Sequence, residues 1–378
     1  MVPTIGFRKG GHILSAAGVL CSVAVLRRIA VHRAVVSLLI GSAFSVSLVG
    51  CSKASSDEAK TGARTLLNVS YDPTRGFYEA YNAWFAEKWQ AETGERLSIE
   101  MSHGGSGRQA RSVIDGLQAD VVTLALAQDV DAIAELSGAM TADWAERLPN
   151  QSAPYTSTIV FVVRAGNPKN IRDWADLVRE DVRIIAPNPK TSGAARWSFL
   201  AAWAYATGQL GANDADARDY VRALYARVEV LDAGARGAST TFSRNRLGDV
   251  LLNWENEAWM LQQEMPKEGF ELVVPSVSVR AIPPVAVVDR VVDARGTRAL
   301  AEAYVESLYV PFAQRLAAEH RYRPSDPEVL EEFDAYFPSL RLVTVEEIAG
   351  SWREAHERFF TDGGVFDQIY GQREGRER

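Results

Sequence analysis

The chain has 378 residues, 47% of them hydrophobic and 24% charged, with a net charge of −7. Those values fit a packed protein and exclude a disordered, collagen-like or multi-span membrane chain. The acidic balance argues against a nucleic-acid surface, which needs clustered Lys and Arg. Two cysteines and five histidines give neither a disulfide framework nor zinc spacing. No metal, cofactor or catalytic residue is expected.

Residues 1–50 contain no Asp or Glu and five basic residues: Arg8, Lys9, Arg27, Arg28 and Arg33. Seventeen uncharged residues, AVVSLLIGSAFSVSLVG, separate Arg33 from Cys51. A basic start, a short apolar run and a small-residue end form a secretory signal. Its end, Leu48-Val49-Gly50-Cys51, resembles a lipobox, in which the cysteine becomes the lipid-bearing first residue. An uncleaved membrane anchor is the alternative, although the run is short for a span. A second apolar run at 10–26 suggests a true start near Val31, which N-terminal sequencing of the unprocessed form decides. The leader is therefore read as 1–50, and a flexible tether as 51–65.

From residue 66 strands and helices alternate. LLNVSYD (66–72) reads as a strand running into a Pro-containing turn. The next helix places Phe77, Tyr81, Trp84, Phe85 and Trp89 at helical spacing and stops at Gly94. LSIEMSH (97–103) is a strand, GGSG a loop, and RQARSVIDGLQ a helix with Val113, Ile114 and Leu117 inward. DVVTLAL (120–126) is a third strand, followed by the helix DVDAIAELSG. After LPNQSAPYT a second series starts, with strands STIVFVVR (157–164), VRIIAPN (182–188), VEVLD (228–232) and DVLLNW (249–254). Its helices are GAARWSFLAAWAYATG, one after AGARGAST, and ENEAWMLQQE; PPVAVVDRVV and a helix around TRALAEAYVESLY come later. The rhythm predicts an α/β protein with parallel strands, helices on both sheet faces, and two lobes around a ligand cleft. The expected division is 66–153 for the first part of lobe 1 and 154–253 for lobe 2. Residues 254–378 are expected to return to lobe 1, with a further hinge crossing left open.

Three loops place small residues directly before a helix: Ser102–Gly107, Thr191–Ala194 and Gly234–Gly237. A helix start offers unpaired N–H donors and a partial positive charge, so such a loop holds an anion without a cationic side chain. Ser106 and Ser192 can add hydroxyl donors, and Trp254 an indole N–H. A single such loop is as well explained by a helix cap; three, spread over both lobes, favour an anion site. Neither a P-loop nor GxGxxG is present there, so a nucleotide is not the natural ligand. Arg196 follows one of these loops and Arg236 lies within another, and both are read as ion-paired rather than ligand-contacting. His103 adjoins GGSG, but no Ser/His/Asp constellation or GxSxG elbow accompanies it.

At these loops the chain resembles the periplasmic sulfate- and thiosulfate-binding proteins of ABC importers. The matching stretches include LLNVSYDPTRGFYEAYN, SHGGSGRQARSVIDGLQADVVTLALAQDVDAIAE, PNPKTSGAARW, EVLDAGARGASTTF, GDVLLNWENEA and GGVFDQI, spanning roughly residues 65–370. The resemblance implies a two-lobed periplasmic binding-protein fold of type II, each lobe a mixed sheet flanked by helices. It implies an extracytoplasmic receptor that buries sulfate or thiosulfate between lobes and delivers it to ABC permease subunits. It places ligand contacts on the Asp72 backbone, Ser106, Ser192, Gly193, Ala194, Ala235 and Trp254. Ala194 stands where relatives often have glycine, a change that keeps the N–H. The lipobox at Cys51 departs from relatives that diffuse freely and implies a lipid anchor. Molybdate is the nearest alternative ligand, and an ester hydrolase using the same cleft the alternative from another class.

Overall fold

The computed structural model describes residues 63–374 except 210 and 212. The leader, Cys51 and most of the tether lie outside them. In chain order, β1 (Arg64–Tyr71), α1 (Arg75–Thr93), β2 (Leu97–Gly104), α2 (Ser106–Ile114), β3 (Val121–Thr123) and α3 (Ala127–Ser137) build the first lobe. The three strands are parallel, with Leu66 opposite Ile99 and Val69 opposite Val122. Helices cover the sheet, so even Asn68 and Ser70 are buried. α1 lays Phe77, Tyr78, Tyr81 and Phe85 into the core, while Trp84 and Trp89 are only partly buried. It ends at Gly94, whose φ of 76° is the left-handed stop that glycine takes most cheaply.

The short turn α4 (Pro149–Ser152) and the two-residue strand β4 (Tyr155–Thr156) lead across to the second lobe. There β5 (Ile159–Val163), β6 (Ile184–Pro187), α5 (Gly193–Gln209), α6 (Asp214–Tyr225), β7 (Val228–Asp232), α7 (Ala235–Ser243), β8 (Val250–Trp254), α8 (Glu255–Glu264) and β9 (Glu271–Val273) follow. The sheet order is β7-β6-β8-β5-β9. β6 is parallel to β7 and β8, whereas β5 is antiparallel to β8 and β9. β10 (Val277–Val279) and β11 (Val285–Val287) close the return, β11 pairing antiparallel with β3. Both main sheets are thus mixed, where the alternating pattern alone predicts parallel strands.

The return crossing comes later than residue 254. α8 and β9 stay with the second lobe because β5 needs β9 as its edge partner and α8 packs its Ala258 and Leu261 under the sheet. The crossing strands meet where Ser157 and Ala281 exchange backbone hydrogen bonds, each 2.9 Å. The chain then crosses again. Arg341–Val343 pairs with β10, and Trp352, Phe359, Phe360, Val365, Phe366 and Ile369 share a core with Trp197, Phe199 and Trp203 of α5. Trp352 meets Trp197 edge-on at 4.5 Å between ring centroids. Residues 341–374 therefore cover the second lobe. Among the described residues no helix is long and apolar enough to cross a membrane.

Candidate anion site between the lobes

α2 starts two residues before the sequence pattern places it. Gly105 adopts an extended N-cap conformation, so Ser106 and Gly107 form the first turn of the helix rather than a loop. Gly193 and Ala194 open α5, and Ala235 opens α7 after Gly234. Neither α2 nor α7 has a side-chain cap at its N-terminus. The first amides of these helices have no intrahelical acceptor and carry the positive end of the helix dipole. Ser192 N–H bonds back to Asn188 O at 2.9 Å, which turns the chain sharply into α5.

These helix starts surround one cavity of about 530 Å³, walled by both lobes. Asp72, Gly105, Leu126 and Asp129 come from the first, and Ser192, Gly193, Gly234 and Ala235 from the second. Only small residues allow this approach. A Cβ on Gly193 would lie 2.7 Å from Ala125 Cβ and 3.5 Å from Ser106 Cβ, and one on Gly105 would lie 3.2 Å from Thr191 O. Trp197 Nε1 donates across the same seam to Ala125 O at 3.2 Å.

Of the expected ligand residues, Asp72, Ser192, Gly193 and Ala235 line the cavity. Ala194, Ser106 and Trp254 are buried and do not contribute to that lining surface. The Ser192 hydroxyl and the Trp254 indole N–H are buried and find no partner within the protein. Ser106 differs from expectation. Its hydroxyl donates to the Asp129 carboxylate, and its oxygen accepts the Ala125 N–H at 3.0 Å. Its remaining free donor is the main-chain amide. The partner lies 23 residues away on another helix, which local sequence cannot reveal.

Tyr71 was not singled out by the sequence. It ends β1, lines the cavity, and its buried hydroxyl has no hydrogen-bond partner. Its ring lies 5.7 Å from that of Trp254. The available signal was its position, immediately before Asp72 at the carboxyl end of a central strand.

The charged groups are mostly matched to each other. The Asp72 carboxylate takes Arg75 at 2.8 Å and Arg236 of the other lobe at 3.6 Å. Arg196 stands 3.9 Å from Asp129 across the cleft and donates to Pro189 O at 3.0 Å. Lys190 is held by Asp362 and Asp367, both at 3.0 Å. Arg108, exposed in the cavity wall, has no carboxylate partner among the described residues. Burial, helped by Arg75, lowers the pKa of His103 and keeps it neutral near pH 7. Among the described residues no group of three or more His, Cys, Asp or Glu could hold a metal ion.

Glu257, on the first turn of α8, is buried with one carboxylate oxygen unpartnered. Burial pushes its pKa from 4.5 up to about 7, Asp72 and Glu264 add to the rise, and Arg236 opposes it. The folded state therefore binds this proton more tightly than the unfolded chain. Stability from this group falls as pH rises from about 4.5 to 7 and is lost above that. Glu257→Gln is expected to be more stable than the unaltered protein at pH 8 by about 2–3 kcal/mol, and equal to it near pH 4.5. Urea denaturation at the two pH values measures this; a difference independent of pH contradicts it.

Comparison with known proteins settles the family. Residues 74–323 match the family model described as bacterial extracellular solute-binding protein. The sulfate-binding protein of Escherichia coli (strain K12) is 55% identical over 304 residues, covering 80% of this chain and 92% of that protein. The thiosulfate-binding protein of Pseudomonas aeruginosa is 50% identical over 327 residues, covering 86% and 98%. The chain belongs to the sulfate- and thiosulfate-binding proteins. A solved member of this family, the sulfate-binding protein SubI from Mycobacterium tuberculosis H37Rv, superposes with a TM-score of 0.70 at 32% identity, over 79% of this chain and 99% of that one. The two-lobed architecture of the family is the fold described above.

Proposed function

We propose that this binding protein captures sulfate or thiosulfate outside the cytoplasm and hands it to an ABC importer. One observation carries the reading: helix starts from both lobes meet at one cavity, beside buried Ser192 and Trp254 donors that find no partner within the protein. An unmatched buried donor costs about 1–3 kcal/mol and calls for an acceptor. Sulfate near neutral pH is a dianion with acceptor oxygens only. The amides of Asp72, Ser106, Gly193, Ala194 and Ala235, with Ser192 and Trp254, form a matching set of donors.

The same set disfavours phosphate, which carries a proton at this pH. That proton needs an acceptor, and the two carboxylates that line the cavity are engaged, Asp129 by Ser106 and Asp72 by Arg75. Rejection then follows from an unpaired donor on the ligand. Lys190, Arg196 and Arg236 stay in ion pairs around the cage, so the dianion's charge is met by aligned amide dipoles in a dry site rather than by these cations. Closure of the lobes completes the donor set, and ligand favours the closed state by what it gains there. The closed form is the one an importer would engage.

Calorimetric titration with sulfate, thiosulfate, molybdate and phosphate tests the reading. Sulfate or thiosulfate should bind at least tenfold more tightly than phosphate, the ratio that about 1.4 kcal/mol supplies. Preferential binding of phosphate or molybdate overturns it. The lipobox adds a location: Cys51 carries lipid and tethers the receptor to the membrane. Cys51→Ala should move the protein from the membrane fraction to the soluble fraction, and an unchanged distribution refutes the anchor.

A further inference from the structure

We propose that the Tyr71 hydroxyl donates directly to the bound anion, adding a side-chain donor from the first lobe to a cage whose other side-chain donors come from the second. This inference rests on the anion-receptor reading and deepens it. Tyr71 lines the cavity, yet its hydroxyl is buried and has no partner within the protein. The Ser192 side chain and the Ala194 amide of the opposite lobe approach its oxygen as donors, which leaves the phenol's own proton without an acceptor. Its ring packs against Trp254, the other buried aromatic with an orphan donor. Tyr71, Ser192 and Trp254, drawn from two lobes, thus each bring a buried polar hydrogen that finds no acceptor within the protein.

A phenol suits that spot. It both donates and accepts, so its oxygen can take an amide N–H while its proton points at the ligand. Burial, reinforced by the nearby Glu257 charge, pushes its pKa far above the usual range, so the proton stays in place at any physiological pH. Ser106 sharpens the need: its hydroxyl is committed to Asp129, so without Tyr71 the first lobe would offer the anion main-chain amides alone.

Tyr71→Phe separates this role from a structural one. The ring and its contact with Trp254 remain, and an unmatched buried hydroxyl is removed. The ligand-free variant should melt at the same temperature or higher, while its calorimetric affinity for sulfate or thiosulfate, whichever the unaltered protein binds, falls by about ten- to a hundredfold, the range for a hydrogen bond to a charged acceptor. Affinity within threefold of the unaltered protein overturns the inference and leaves the receptor reading standing. A variant that loses ligand-free stability along with affinity also overturns it, because that marks a packing role. Failure of the unaltered protein to bind either anion overturns both.

Discussion

Gly193→Ala is expected to weaken anion binding by about a hundredfold or more, with the ligand-free melting temperature nearly unchanged. The added methyl would sit 2.7 Å from Ala125 Cβ and 3.4 Å from Leu126 Cγ. Both neighbours belong to the first lobe, whereas Gly193 opens a helix of the second. Ala125 has no rotamer to change, so the clash is relieved by parting the lobes. Each lobe keeps its own core, and the folded state survives. Closure does not, because overpacking costs about 1–3 kcal/mol and the open form also forgoes hydrogen bonds from one side. Calorimetry gives the affinity, and small-angle scattering with ligand shows whether the variant stays open. Full affinity with normal closure would contradict a steric role for this glycine.

Trp254→Phe is expected to reduce affinity by about ten- to a hundredfold, again without unfolding the protein. Trp254 ends β8 opposite Ile159, and its main-chain N–H bonds to the Asn253 side chain at 2.9 Å. Those features survive the exchange, as does an aromatic face toward Tyr71. Only the indole donor is lost, and a hydrogen bond to a charged acceptor is worth about 1.5–3 kcal/mol. Stopped-flow fluorescence should find the change mainly in the dissociation rate, since the donor acts after the lobes close. An unaltered affinity would remove Trp254 from the cage.

Much of the fold was legible because local rules and tertiary packing agree. VEVLD and ENEAWMLQQE fall on β7 and α8 residue for residue, the first ahead of the small-residue loop Ala233-Gly234 and the second starting directly at the strand end. The apolar run PPVAVVDRVV did not resolve itself: only Val285–Val287 is strand, and Asp289–Arg295 is helix. A short apolar segment fits either element until its partners are known. The lobe to which the C-terminal helices belong was hidden for a similar reason. Periodicity shows which face of Val365–Glu374 is buried, not that Phe366 and Ile369 bury it against the second lobe. At the site, the small-residue loops signalled their helix starts. The hydrogen bond between Ser106 and Asp129, the ion pairs across the cleft and the orphan hydroxyl of Tyr71 join residues distant in sequence, so only the assembled fold displays them.

The most direct test is a crystal structure of the protein grown with sulfate or thiosulfate. The account predicts one dehydrated anion between the lobes, its oxygens within hydrogen-bond distance of the Gly193, Ala194 and Ala235 amides, the Ser192 hydroxyl and the Trp254 indole. An anion held by the guanidinium of Arg108, Arg196 or Arg236, or one still wrapped in water, would contradict it.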